Sequence, residues 1–246
     1  MWEFCVTASN KNENVIQYIQ DKVLNVLTEC DGVHSFVKKE NFCSLCVGAK
    51  KEKSSYLKKK LTKIICDAVC EKMKQNYLKE NVSINVVDES LFQAFIKVYT
   101  YFDIEIEKAI AIRAIYFPNV LNIESFLEFK LRPLKQKWKE MCNLTNLNAS
   151  LFVKSETFLD LLKFLIANLD YKHKCIIINF LNNKIYKIVG EERVFLCDFC
   201  GEDVVDVLTK IIELSPQKIV VLNLNNQRTL AVLQDLFVGR LEIAKN

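Results

Sequence analysis

Two cysteine pairs and one run of lysines are the residues whose types and spacing could do chemistry. Cys43-Ser44-Leu45-Cys46 and Cys197-Asp198-Phe199-Cys200-Gly201 are both C-x-x-C, and the second carries a glycine where a tight turn would aim two thiolates at one metal. Two such knuckles, Cys43, Cys46, Cys197 and Cys200 together, would make a closed tetrahedral zinc site. Against this, if Phe42 to Ala49 is a regular strand, residues three apart point to opposite faces. The long separation of the pairs also requires the fold to bring two distant elements together. The plainer reading makes these cysteines small, buried apolar residues. Zinc is therefore a candidate, and no cofactor is expected. Cys66 and Cys70, at i and i+4 beside an apolar stripe, read as core neighbours.

The lysines are Lys50, Lys51, Lys53, Lys58, Lys59, Lys60 and Lys63, with only Glu52 against them. Such a run is either the solvated face of a helix or a patch for nucleic acid or an anionic membrane surface. On helical spacing Lys60, Lys63 and Lys74 share the face opposite the apolar stripe, which places all three in solvent. No interleaved aromatics and no named nucleic-acid motif support the patch, and the overall charge of +4 is mild. Nucleic-acid binding thus depends on the positive charge being concentrated on one surface.

Other chemistry finds little footing. There are two histidines, His34 and His173, and no serine or cysteine lies in a recognisable nucleophile context. The five glycines are isolated, so no Gly-rich loop cradles a phosphate. Glu191-Glu192 fits a turn. Glu202, Asp203 and Asp206 fall where a helix N-terminus favours negative charge.

The elements that must position these residues follow from periodicity. Half of the 246 residues are apolar and about a quarter charged, enough for a proper core. Trp2 to Ala8 reads as a strand. Val15, Ile16, Ile19, Val23, Val26 and Leu27 form one helical stripe, ended at Asp31-Gly32. Val33 to Val37 and Phe42 to Ala49 read as a hairpin. A long helix from Ser54 to Tyr77 follows, and Asn81 to Val87 reads as a further short strand.

The middle is helical, with starts at Asp88 or Ser90, Asp103 and Asn122, and a kink or restart at Pro133. Asn143 to Ser150 reads as a loop, and Ser155 to Leu169 as an apolar helix. Three strands in a meander come next, turning at Asn182-Asn183 and Gly190-Glu191. A helix, the buried strand Lys218 to Leu224, another helix and a short closing strand complete the chain. The expected fold is α+β: a βαββα start, a helical middle, and a meander followed by α-β-α-β. Its regions are 1–87, 88–170 and 171–246, read as one unit. No apolar run approaches the roughly 18 residues that span a membrane. No secretory signal opens the chain, so the ten cysteines read as reduced thiols in a cytoplasm.

The C-terminal pattern Val207-Leu208-Thr209 … Leu214-Ser215-Pro216-Gln217-Lys218-Ile219-Val220-Val221 … Leu233 … Leu236-Phe237-Val238-Gly239-Arg240-Leu241 resembles the C-terminus of the YtxC-like family. That family is associated with sporulation in endospore-forming Firmicutes. The family's pattern is a helix running into an "A/S-P-x-x-I-hydrophobic" strand, then a helix ending "F-x-G-R-hydrophobic". The match is specific over roughly 40 residues and architectural elsewhere. A cysteine-containing tail often follows that strand in the family, and this chain has none there. The resemblance implies a cytoplasmic, sporulation-associated protein acting through protein contacts, with no catalytic residues to carry over. The alternative is a zinc- or nucleic-acid-binding regulator using the cysteine pairs or the Lys50–Lys63 patch.

Overall fold

The computed structural model describes residues 1–84, 88–153, 155–201 and 203–244, with side chains left out at 151, 153 and 155. Helices and strands divide between two units, residues 1–82 with 103–146, and 83–102 with 147–246. The fold is α+β, with two mixed sheets. The helical middle does not stand alone. Its helix over Glu89–Tyr101 belongs with the C-terminal sheet, and the helices from Ile104 to Leu147 belong with the N-terminal one.

In the first unit, β1 (Trp2–Ser9), α1 (Glu13–Glu29), β2 (Val33–Lys38) and β3 (Phe42–Ala49) are followed by one continuous helical rod. That rod is α2 (Ser54–Asp67), a π-helical segment (Ala68–Met73) and α3 (Lys74–Asn81). The sheet order is β2-β3-β1 plus a later short strand, with β1 and β3 antiparallel from Trp2↔Ala49 to Ser9↔Phe42. Alternation decides the faces. Phe4, Val6, Ala8, Cys43, Leu45 and Val47 are buried on one side, where α1 lays its six-residue apolar stripe. Each fully buried Val, Leu or Ile there contributes about 1.5–3 kcal/mol.

The end of α1 departs from expectation. Asp31, at φ 50°, takes the left-handed position. Gly32 follows it, its N–H bonded to Leu27 O at 2.9 Å. Gly32 is needed for space, since a Cβ there would stand 2.5 Å from Leu27 Cδ2. Asn81 closes α3, so the strand expected from there does not begin; positions 85–87 lie outside the described residues.

In chain order α4 (Glu89–Tyr101) comes next, capped by Asp88, whose carboxylate accepts from the Ser90 N–H at 2.8 Å. Then α5 (Ile104–Ala114), β4 (Val120–Asn122), α6 (Ile123–Phe129) and α7 (Arg132–Leu147) return to the first unit. The short β4, which the sequence pattern does not announce, pairs parallel with β1. Asn122 caps α6 through the Ser125 N–H. Asp103 does not cap α5: it sits at φ 58° and pairs with Lys137 at 3.0 Å. The loop expected at Asn143–Ser150 is helix as far as Leu147. Cys142 and Thr145 continue the buried face of α7, and the Asn146 amide donates to Asn81 O.

The second unit holds α4, α8 (Ser155–Ala167), β5 (His173–Asn179), β6 (Lys184–Val189), β7 (Glu192–Asp198), α9 (Val204–Leu214), β8 (Pro216–Leu222), α10 (Gln227–Leu236) and β9 (Leu241–Ala244). Its sheet runs β7-β6-β5-β8-β9, with β5, β8 and β9 parallel. Ile176, Ile178, Ile185, Ile219 and Val221 form its buried face. Among the helices, α4 packs on α8 and α9, and α8 on α10.

Candidate functional site

The lysine run occupies a short 3-10 turn (Lys51–Lys53) and the outer side of α2. Leu57, Leu61, Ile64 and Ile65 take the inner side, so the 100° step between helical residues turns Tyr56, Lys59, Lys60 and Lys63 outward together. Six of the seven lysines are exposed and Lys58 is half-buried. Many lysines elsewhere among the described residues hold a carboxylate at ion-pair distance, Lys11, Lys38, Lys108 and Lys218 among them. Among the described residues none of the seven in the run does. Two of them rest on aromatic rings: Lys58 Nζ lies 5.2 Å from the Trp2 ring centre and Lys60 Nζ 5.3 Å from that of Tyr56. Trp2 comes from β1, at the opposite end of the local sequence, so spacing within the run could not reveal it.

Tyr56 is a second residue that the reading of the lysines passed over. Its ring is on the surface and its hydroxyl donates to Glu29, which raises its pKa. The result is a surface of unneutralised ammonium groups around two rings.

The expected neighbour Lys74 is elsewhere. It is fully buried, and its Nζ stands 3.0 Å from both carboxylate oxygens of Glu107, itself fully buried on α5. The intervening π segment accounts for the difference. Its wider turns advance the rod by less angle per residue, so positions beyond Met73 lose the phase of α2. Burial lowers the Lys74 pKa against the pull of Glu107, and raises that of Glu107 against the pull of Lys74. Lys137 stands 3.6 Å from the same carboxylate.

The cysteine pairs fare differently from a metal set. On β3, Cys43 faces the core, its thiol toward Ala8 O, and burial pushes its pKa up. Cys46 faces the other way and is bonded to Cys5, directly opposite on β1. The expectation of ten reduced thiols is thus corrected to one disulfide and eight free cysteines. Cys197 and Cys200 lie in the other unit: Cys197 is half-buried at the end of β7, and Cys200 is exposed, its N–H donating to Asp206 at 2.7 Å. Among the described residues no group of three or more His, Cys, Asp or Glu could hold a metal ion.

Cys66 and Cys70 are buried as expected. The Cys66 thiol faces Lys108 O, and the contact with Cys70 lowers the pKa of Cys66 and raises that of Cys70. His34 is exposed on the edge strand β2. His173 is half-buried, and burial with Lys187 and Lys172 nearby lowers its pKa. Asp203 caps α9 at the Val205 N–H; Glu202 lies outside the described residues.

One place the sequence reading did not single out is the carboxyl end of β5 and β8. These parallel strands are neighbours whose connections leave in opposite directions, the position where open α/β sheets bind ligands. It is occupied by neutral amides. Asn223, at φ 58°, donates to Asn179 Oδ1 at 3.0 Å, which also accepts the Leu181 N–H. Phe180, which follows β5, and Phe199, which follows β7, meet edge to face with ring centres 5.0 Å apart.

Comparison with protein-family models, curated proteins and solved structures finds no match to this chain. No described helix is long and apolar enough to cross a membrane.

Proposed function

We propose that this chain is a binding protein whose contact surface is the lysine face of α2, and that the surface takes nucleic acid. The observation that carries this is the absence of any carboxylate at ion-pair distance from Lys50, Lys51, Lys53, Lys58, Lys59, Lys60 or Lys63 among the described residues, together with Trp2 and Tyr56 between them. Unpaired lysines on a rigid helix release counterions from a phosphate backbone without first breaking ion pairs of their own. An exposed tyrosine adds a ring on which an unpaired base can stack, worth about 1–3 kcal/mol per base. Titrating labelled single-stranded and duplex oligonucleotides at low salt tests the reading. Binding to either supports it, with single strands favoured if Tyr56 stacks on bases. Failure to bind both, with binding to anionic vesicles instead, would move the surface to a membrane.

Sporulation is the proposed cellular setting, in the cytoplasm of a spore former. It rests on the resemblance of Val207–Leu241 to YtxC-like proteins, a stretch that forms α9, β8, α10 and the start of β9. Deleting the gene in its host is expected to lower heat-resistant spore counts. Unchanged counts under several sporulation regimes would remove the setting and leave the surface to be judged on its own.

A further inference from the structure

The Cys5–Cys46 bond lies where few structural disulfides can be reached by a reagent. β1 and β3 are the two central strands of their sheet, and the two cysteines face each other directly across the ladder. Alternation puts them on the side away from α1. Around them on that side are Thr7 and Ser44 one step along, Ser35 on β2 and Val120 on β4, each exposed or half-buried. On the other side the next pair on this face is Glu3, exposed, and Gly48, buried; Cys5 and Cys46 are themselves half-buried. The bond closes a sequence separation of 41 residues. The strands do not depend on it for their pairing, since the ladder continues to Trp2↔Ala49 on one side and to Ser9↔Phe42 on the other. Opening the bond therefore leaves the backbone pairing and the buried face of the sheet in place.

The free thiols sharpen the point. Cys30, Cys43, Cys66, Cys70 and Cys142 are buried, and burial pushes Cys142 up to about 11. A thiol shut in the core is out of reach of a reagent in solution. Cys175 and Cys197 are half-buried and Cys200 is exposed; none of the three is bonded to another cysteine, so each would first take up glutathione as a mixed disulfide.

We propose that Cys5 and Cys46 are a reversible dithiol–disulfide couple, open to exchange with small thiols such as glutathione from the exposed face of the sheet. In reduction, a glutathione thiolate attacks one of the two sulfurs. The Cys5–Cys46 bond breaks, a protein–glutathione bond forms, and the other cysteine leaves as a thiolate that takes up a proton. A second glutathione thiolate attacks the sulfur of the first, releasing glutathione disulfide and the second cysteine, which is protonated in turn. Two electrons enter the protein and two glutathiones are oxidised. Glutathione disulfide reverses each step.

The test equilibrates the native full-length chain in buffers of stepped glutathione to glutathione disulfide ratio, quenches in acid, alkylates, and follows the Cys5 and Cys46 peptides by mass spectrometry. Far-UV circular dichroism is recorded at each step. The expected result is a Cys5–Cys46 cross-link that is lost and regained along one reversible curve with the spectrum unchanged. In Cys5→Ser, Cys46 has lost its partner and is expected to accumulate the glutathione adduct. A link that never forms, that resists excess reductant until the chain is denatured, or that opens only with loss of the spectrum overturns the proposal.

Discussion

One helical rod carries two populations of lysine. Along α2 the ammonium groups stand in solvent with no carboxylate at ion-pair distance among the described residues. At the first residue of α3, Lys74 is sealed against Glu107 with no exposure of either side chain. The residue type is the same, and the helical spacing that turns Lys60 and Lys63 outward assigns Lys74 to the same face. The difference lies in the six π-helical residues between them and in the α5 residue that waits on the other side. A lysine's role here is set by helix phase and by what packs against it. Charge alone does not distinguish a binding surface from a buried ion pair.

The largest effect expected is at the buried pair. Lys74→Ala leaves the Glu107 carboxylate buried without its main partner and should cost about 3–5 kcal/mol in denaturant unfolding. The double change Lys74→Met with Glu107→Leu should recover most of that, because it removes both charges and keeps the volume. The sign with pH follows from the Glu107 pKa, which burial raises and Lys74 restrains. In Lys74→Met that restraint is gone, so the folded-state pKa rises further. The deficit against the parent is then full above the variant's folded pKa and shrinks as pH falls through it toward the parent's own Glu107 pKa, which is already raised above the ordinary value. A deficit independent of pH would mean Glu107 is already neutral in the native chain.

Next in size is the disulfide. Cys5→Ser should lower the stability of the oxidised chain by about 2–4 kcal/mol, the range for closing a loop of this length, and change the reduced chain far less. Equal losses in both would place the effect in packing rather than in the cross-link. Asn122→Ala, which removes the cap of α6, should cost about 1 kcal/mol by thermal unfolding. Smallest of all in stability is the triple reversal Lys59→Glu, Lys60→Glu, Lys63→Glu. It should stay within about 0.5 kcal/mol of the parent because these side chains touch no core. A large loss would show that the lysine face is a structural feature and that the contrast with Lys74 has been overdrawn.

The layers were legible in the sequence because apolar periodicity reports directly on which face is buried. The α1 stripe and the alternation of β3 each name their own neighbours; the run Lys218–Leu224 names a strand, but that strand is Pro216–Leu222, with Lys218 exposed and Ile219 and Val221 buried. What escaped was set by partners far along the chain. β4 is three residues long, and only β1 makes it a strand. Trp2 reaches the lysines across the sheet–helix layer. Cys46 is claimed by Cys5 rather than by Cys43. Lys74 was misassigned because spacing rules take every turn of a helix as equal, and the π turns are not. The site itself was half legible: the seven lysines announce themselves, while their lack of acidic partners is a property of three dimensions.

The salt dependence of oligonucleotide binding, compared between the parent chain and the Lys59, Lys60, Lys63 triple glutamate variant, tests the central claim most directly. The logarithm of the parent's affinity should fall linearly with the logarithm of salt concentration, with a slope of roughly 0.7–0.9 per phosphate engaged. The variant should bind at least about tenfold more weakly at low salt, with a shallower slope, because three phosphate contacts have become repulsions. Equal affinities and equal slopes for the two proteins would contradict the account, since whatever bound the nucleic acid would then lie off the lysine face of α2.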